Sequence, residues 1–456
     1  GHSQITTIDS FCLRVVRDYF GELELDPDFR IGNQGELTLL MADCMDQMLE
    51  DYYEEGDKDF LDFAEAYGGK KDDGNLASLS LSVSQFARSY PYPDRWMDEA
   101  LSCFSATTEE ELEDSKWMQF LSGYYKTLFT ELRDQMKVCL KDCYQTDGPM
   151  AYEEMVLSDI RLFESLMGAK SFMELCSFSD KAASGFVRKP TIRKKDACDP
   201  VLKDKVSKGR DAVKAEAQKV IKKLKDLNPS EILENLSLVK APMEMLVKLS
   251  KDFDKYYKAA KAEKNILDFS DIEHLALNIL VDEDGKRRAP ALQLRKQFYE
   301  ILIDEYQDSN FLQDTILESI SGKFENEPNM FMVGDVKQSI YRFRMARPEI
   351  FMDRYESYSL EESLYQKINL SKNFRSRAEV LKGINQIFYR IMQKSLGDVA
   401  YDDAAALYPG AAYKEVDEDL KEKYPEGFIT DESHKALKLC LVDLDKDKVA
   451  AFMQEA

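Results

Sequence analysis

Residues 299–310 read YEILIDEYQDSN and residues 330–344 read MFMVGDVKQSIYRFR. Each stretch opens with a short, fully apolar run: Ile301–Leu302–Ile303 in the first, Met330–Phe331–Met332–Val333 in the second. Each run stops abruptly at acids, Asp304–Glu305 and Gly334–Asp335. Unbroken apolar runs of this length mark strands of a parallel sheet, buried on both faces. Acids at their ends then stand at the carboxyl edge of the sheet, where open α/β sheets bind ligands. The fold class this predicts is α/β with a parallel sheet.

The residue types suit phosphate chemistry. A carboxylate at a strand tip holds Mg²⁺, usually through water, beside a triphosphate. A second carboxylate next to it orients or deprotonates an attacking water. A glutamine on a neighbouring loop senses the terminal phosphate. Asp304 (the metal ligand), Glu305 and Gln338 fit these three roles. A bare Asp-Glu pair after an apolar run is more often just a solvated strand end. Here DEYQD is followed, 26 residues after Asp308, by GDVKQSIYRFR, and that combination is specific.

These residues resemble the superfamily-one DNA helicases of the UvrD/RecB type. DEYQD is similar to their Walker B motif and GDVKQSIYRFR to the motif after it. Phe343 stands where UvrD proteins usually carry Trp, and this wording is most similar to the AddA family, the helicase-nuclease components of bacterial AddAB complexes that process double-strand breaks. The resemblance implies a RecA-like P-loop NTPase motor lobe with a large all-helical insertion, followed by the start of a second RecA-like lobe. The chain divides on this reading into 1–25 (first lobe), 26–262 (insertion), 263–366 (remainder of the first lobe) and 367–456 (second lobe). ATP and Mg²⁺ are the implied cofactors. The implied partners are single-stranded DNA, duplex DNA and an AddB-type subunit, in recombinational repair in the bacterial cytoplasm.

Around this centre the chain reads as follows. Residues 4–20, QITTIDSFCLRVVRDYF, predict a helix with Phe11, Cys12, Val15, Val16 and Tyr19 at helical spacing, capped by Asp9 or Ser10. The stretch also resembles the family's TIHSFC motif, which implies strand contacts from Thr7 and Ser10, with Asp9 where many relatives have His. Residues 26–260 predict a mostly helical region, within which SYPYPDRWMDEAL (89–101) is a Pro-broken turn entering a helix capped by Asp94. Its aromatics suit core or loop packing better than a partner surface. Residues 180–210 read as a loop opening into a Lys-rich helix at 211–227. LDFSD (267–271) resembles the signature that closes the insertion. Asp268 and Asp271 then support the nucleotide site from behind, or cap a helix, or both.

In YRFR (341–344), the resemblance implies base stacking by Phe343, with Tyr341 and Arg344 beside it. Stacking grips any base without reading sequence. The following MARP carries Arg347 where AddA-like sequences have an acid. INLSKNFRS (368–376) resembles the motif opening the second lobe. Phe374 would pack on adenine and Arg375 would act as an arginine finger. Residues 378–394 predict an amphipathic helix, 395–435 an acidic connector, 437–445 a strand and 447–456 the start of a helix.

Composition bounds the rest. The 456 residues exceed one domain. No apolar run is long enough for a membrane span, and no signal peptide pattern opens the chain. Eight scattered cysteines and three histidines argue against zinc and suit a reducing cytosol. The net charge of −23 opposes non-specific nucleic-acid binding, but residues 181–225 hold fifteen Lys/Arg against five Asp/Glu. That segment is either a phosphate track or a solvated helix face.

No G-x-x-x-x-G-K-[ST] string occurs in the sequence. The resemblance places that loop upstream of residue 4. It places the later helicase motifs and a nuclease domain with an iron–sulfur cluster beyond residue 456. The expectation is a piece of a longer motor, unable to turn over ATP alone. A non-catalytic DNA-binding or scaffold protein is the alternative, and a nuclease metal site among the clustered acids is a third.

Overall fold

The computed structural model describes residues 3–411 apart from 24, 27, 70–71, 193–197 and 393–400. The strand expected at 437–445, the helix at 447–456 and most of the acidic connector lie outside the described residues. Two compact units divide the chain, Gly1–Tyr365 and Gln366–Ala456.

The first helix, α1 (Ile8–Asp18), begins one residue before the expected caps. Thr7 is the cap, its hydroxyl accepting the Ser10 N–H at 3.2 Å. A cap bonds the third helical residue, so a helix starting at Ile8 requires the hydroxyl at position 7, not 9 or 10. The strand β1 (Arg30–Ile31) follows, and its parallel partner β2 (Ile266–Leu267) comes more than 230 residues later. Everything described between them is helical or irregular.

Among its described residues that region carries ten α-helices: α2 (Gln34–Glu55), α3 (Lys58–Tyr67), α4 (Gly74–Ala87), α5 (Pro93–Ser102), α6 (Glu109–Glu113), α7 (Lys116–Cys143), α8 (Glu153–Met167), α9 (Phe172–Ala182), α10 (Pro200–Lys225) and α11 (Pro229–Glu263). They build two cores. One gathers Phe129, Phe163, Leu175 and Ile221 from α7–α10. The other gathers Met48, Phe60 and Leu76 from α2–α4 with Leu249 and Phe253 of α11. Each fully buried side chain of this size contributes about 1.5–3 kcal/mol. The early residues of α11, Ile232, Leu233 and Leu236, pack on the first core, so this 35-residue helix ties both together, with Pro242 inside it.

Two expectations change here. The Lys-rich helix starts at Pro200, not 211, because Asp199 caps it and proline suits the first helical turn. Gly209 stays inside the helix because a Cβ there would lie 3.0 Å from Cys139 Sγ on α7; it marks a close helix crossing, not a loop. Asp94 does not cap α5; Pro93 opens that helix and Asp94 sits in its first turn.

The chain then forms α12 (Phe269–Leu280), α13 (Ala289–Gln297), β3 (Ile301–Ile303), α14 (Phe311–Ser319), β4 (Met330–Met332) and α15 (Pro348–Ser357). Asp268 caps α12 in a reciprocal box with Asp271. Both acids also face Arg88 beyond α4 and Lys261 of α11: Arg88 Nη2 lies 3.0 Å from each, and Lys261 Nζ 2.8 Å from Asp268. Burial opposes ionisation of Asp268, but Arg88 and Lys261 outweigh it and hold its carboxyl down to about 2. The LDFSD acids thus lock the end of the helical region onto α12.

The strands β3 and β4 pair in parallel, Ile301 opposite Met330 and Ile303 opposite Met332. Beneath them lie Tyr306, Leu317 and Ile350, with Ile8 of α1 packed alongside. In the second unit, β5 (Lys372–Asn373) pairs in parallel with β6 (Tyr408–Pro409), and α16 (Ala378–Ile391) lies between them in sequence. Among the described residues, no helix is long and apolar enough to cross a membrane, and seven cysteines, including Cys139 and Cys143, are unbridged.

Candidate functional site

The tip of β3 delivers Asp304 and Glu305 to the surface, both exposed. Glu305 adopts a left-handed backbone, φ 50°, which costs a non-glycine residue about 1–2 kcal/mol. Two bonds to side chains help to hold it there. Its N–H donates to Asp304 Oδ1 at 3.0 Å, and its Oε2 accepts from Gln307 Nε2 at 2.7 Å. The turn after it, residues 306–308, is pinned from below. The Tyr306 hydroxyl donates to Asp314 on α14, and Arg354 of α15 binds Asp314 at 2.6 Å and Glu318 at 2.9 Å. Burial, then the Asp314 charge, raises the Tyr306 hydroxyl well above its ordinary value, so it stays a donor.

Gln307 is the side chain that joins the two motifs. It is 1% exposed. While its amide nitrogen holds Glu305, its Oε1 accepts the Asp335 N–H at 2.9 Å. Asp335 in turn binds Lys337 Nζ at 2.8 Å and accepts Gln338 Nε2 at 3.0 Å. Burial opposes ionisation of Asp335, but these bonds outweigh it and lower its carboxyl below the ordinary range. Gly334 makes the approach possible: a Cβ there would stand 2.5 Å from Gln307 Oε1. Gln307 is not among the residues that the motifs single out; the one available signal is a glutamine inside DEYQD opposite a glycine-acid step.

Asp304, Glu305 and Gln338 thus belong to one connected edge. Asp304 presents oxygen to open solvent, which suits a hydrated divalent cation. Among the described residues no three His, Cys, Asp or Glu side chains gather as a metal group. Two concavities of about 270 and 470 Å³ lie among the helices, and neither is lined by these residues.

Tyr341, Phe343 and Arg344 form a separate exposed cluster. The two rings lie 5.8 Å apart, with the Arg344 guanidinium 5.2 Å from Tyr341 and 5.7 Å from Phe343. Phe343 is 71% exposed. Thr7 and Ser10 sit at the exposed start of α1, their hydroxyls bonded to each other at 2.9 Å. Beside Asp9, on the buried side of that turn, is Glu273 of α12. Burial, then the Asp9 charge, pushes the Glu273 carboxyl up to about 7, against a 2.8 Å bond from Gln313 Nε2.

Phe374 and Arg375 belong to the second unit. Asn373 Oδ1 accepts the N–H groups of Arg375 and Ser376 at 3.0 and 2.9 Å. The exposed Phe374 ring lies over Gly410, where a Cβ would come within 2.7 Å of it.

The parallel strands thus end in Asp-Glu and Gly-Asp, and a buried glutamine bridges the two tips. Residues 1–359 match the model of the UvrD/REP helicase N-terminal domain, and the chain belongs to that family. Family membership carries a RecA-like fold. Among curated proteins, the chain is similar to those named as the A component of an ATP-dependent helicase/nuclease. That of Lachnoclostridium phytofermentans is 44% identical over 431 residues, covering 92% of this chain and 31% of the relative. Those of Clostridium botulinum and Alkaliphilus oremlandii are 38% and 36% identical, covering 90% and 91% of this chain. The chain spans about a third of the length of these relatives, 33% and 34% for the latter two. The AddA likeness read from the motifs is borne out.

Proposed function

We propose that this chain is an internal part of an ATP-driven DNA translocase, the helicase-nuclease component of a complex for double-strand-break repair in the bacterial cytoplasm. The observation that carries it is the Glu305–Gln307–Asp335 chain of bonds, in a member of a helicase family. Asp304 would hold Mg²⁺ through water, and Glu305 would take the proton of the attacking water. Bound ATP·Mg²⁺ would supply the scissile phosphoanhydride and the counter-charge. Gln338, linked through Asp335 and Gln307 to Glu305, would sense the terminal phosphate. Arg375 would act as an arginine finger and Phe374 would pack on adenine. Tyr341, Phe343 and Arg344, with Thr7 and Ser10, would hold a single strand by stacking and hydroxyl contacts. The helical region 26–262 would meet duplex DNA, and an AddB-type subunit would complete the assembly. Without a phosphate loop in its sequence, this chain alone is not expected to turn over ATP.

Glu305→Gln in the full-length protein tests the reading. DNA-stimulated ATPase activity should fall by about 10²–10⁴-fold while oligonucleotide binding is kept. Retained turnover removes Glu305 from its role. The alternative is a non-catalytic DNA-binding or scaffold protein; a GxxxxGK[ST] encoded upstream removes it.

A further inference from the structure

The aromatics of SYPYPDRW pack as a ladder. Trp96 stacks on Tyr90 with centroids 5.2 Å apart, and Tyr90 on Phe311 at 5.1 Å. Phe86 closes the side, 4.9 Å from Trp96. The backbone joins in: the Leu312 N–H donates to the Ser89 carbonyl at 3.2 Å. The guanidinium of Arg347 lies over this ladder, 4.4 Å from the Phe86 centroid and 5.5 Å from Tyr90. Its Nε and Nη2 are buried and find no hydrogen bond among the described residues. The ring faces are therefore what these atoms have instead of an acceptor.

Arg347 also stands at a junction. Its N–H donates to the Ser309 carbonyl at 2.8 Å, four residues after Glu305. On its other side the turn 341–346 closes on itself. The Tyr341 carbonyl accepts from Arg344 at 2.7 Å and from Ala346 at 3.4 Å, with Met345 left-handed at φ 63°. Ala346 is buried. A shift of the Tyr341 peptide therefore drags residue 346 and, with it, Arg347. A planar cation on ring faces lacks a fixed hydrogen-bond direction, so it can slide along the ladder without breaking a bond.

We propose that Arg347 is a positioning residue that couples the turn Tyr341–Arg344 to α4 and α5 through the Phe86–Tyr90–Trp96 ladder, so that the helical region registers a strand seated on that turn. The proposal rests on the single-strand reading of the turn given above.

The protein has two tryptophans, so Trp117→Phe leaves Trp96 as the only indole. That chain is titrated with oligothymidylate at low salt. Anisotropy of a labelled oligonucleotide reads binding, and Trp96 emission reads the ladder. The emission change should share the midpoint of binding. Arg347→Met, which keeps bulk but removes the cation, should leave affinity within about threefold and abolish the emission change. Arg347→Lys, which restores a cation over the rings, should recover part of it. A merely structural arginine would leave the response intact in the Met variant, which overturns the proposal. Should the Met variant fail to fold, Phe86→Leu removes the nearer ring face with the same expectation. Binding with a silent Trp96 overturns the coupling alone; no binding overturns the strand reading and the coupling with it.

Discussion

Gln307 uses both ends of its amide, one on Glu305 and one on the Asp335 N–H. Gln307→Leu keeps the volume and deserts a buried N–H, so it should cost about 1–3 kcal/mol in urea denaturation of this chain. Full-length protein carrying it should also lose ATPase activity, because Glu305 keeps its strained backbone with one restraint fewer. The carboxylates at the strand tips were legible because an apolar run ending in acid is a local pattern. The bridge was not, because its partner is 28 residues away and meets it only once β3 and β4 pair in register. Glu273 was equally hidden: in sequence it is one acid of a helix, and only the approach of Asp9 makes it unusual. Its carboxyl is raised to about 7 in the fold, above its ordinary value of 4.5. Between those values the folded chain keeps a proton that the unfolded chain has released. Stability therefore falls as pH rises through that window, by about 3 kcal/mol in full, and nothing is lost below it. Glu273→Gln should be more stable than the parent at pH 8, about equal at pH 5, and flatter between; urea midpoints at the two pH values check this.

At the scale of elements, the helices α7–α10 surround one buried ion pair. Arg210 Nε lies 2.6 Å from Asp159 Oδ2, with the two side chains 2% and 1% exposed, and Arg210 Nη2 donates to the Val187 carbonyl at 2.8 Å. Burial outweighs the pull of Arg210 and raises the Asp159 carboxyl. The pair thus fixes geometry more than it adds stability. Arg210→Ala should cost about 3–5 kcal/mol, while Arg210→Met with Asp159→Leu should recover most of it, read as loss of helical signal in denaturant. Helical periodicity gave away the existence of these helices. It did not give their starts, because Asp199 and Pro200 act as cap and first turn only if Gly209 is tolerated in mid-helix, and that depends on Cys139 of another helix.

At the scale of the molecule, charge is distributed against the net of −23. Much of the basic segment is neutralised in place: Lys205 binds Asp142, Lys208 binds Asp204, Lys219 binds Glu216 and Lys225 binds Asp180. Lys203, Lys222 and Lys223 are exposed and make no ion pair among the described residues. Duplex binding through this face should engage about three or four phosphates, giving a log–log salt slope of about −3 in anisotropy titrations. A slope near the surplus of ten would show the whole segment at work. Composition made the basic segment visible; its partners on α7 and α9 were not, because only folding sets those acids beside it. The helix α11 joins the two helical cores and runs on to α12. At 35 residues it is about 52 Å long, and its last turn is clamped by Lys261 to Asp268 and Asp271 at the door of α12. A rod clamped at one end is a lever: a tilt of about 5° at the clamp sweeps the far tip by about 5 Å. Pro242 removes the N–H that would have reached the Leu238 carbonyl, so the lever has a soft joint where it passes from one bundle to the other. How far a small movement at α12 travels is then set by the stiffness of that joint.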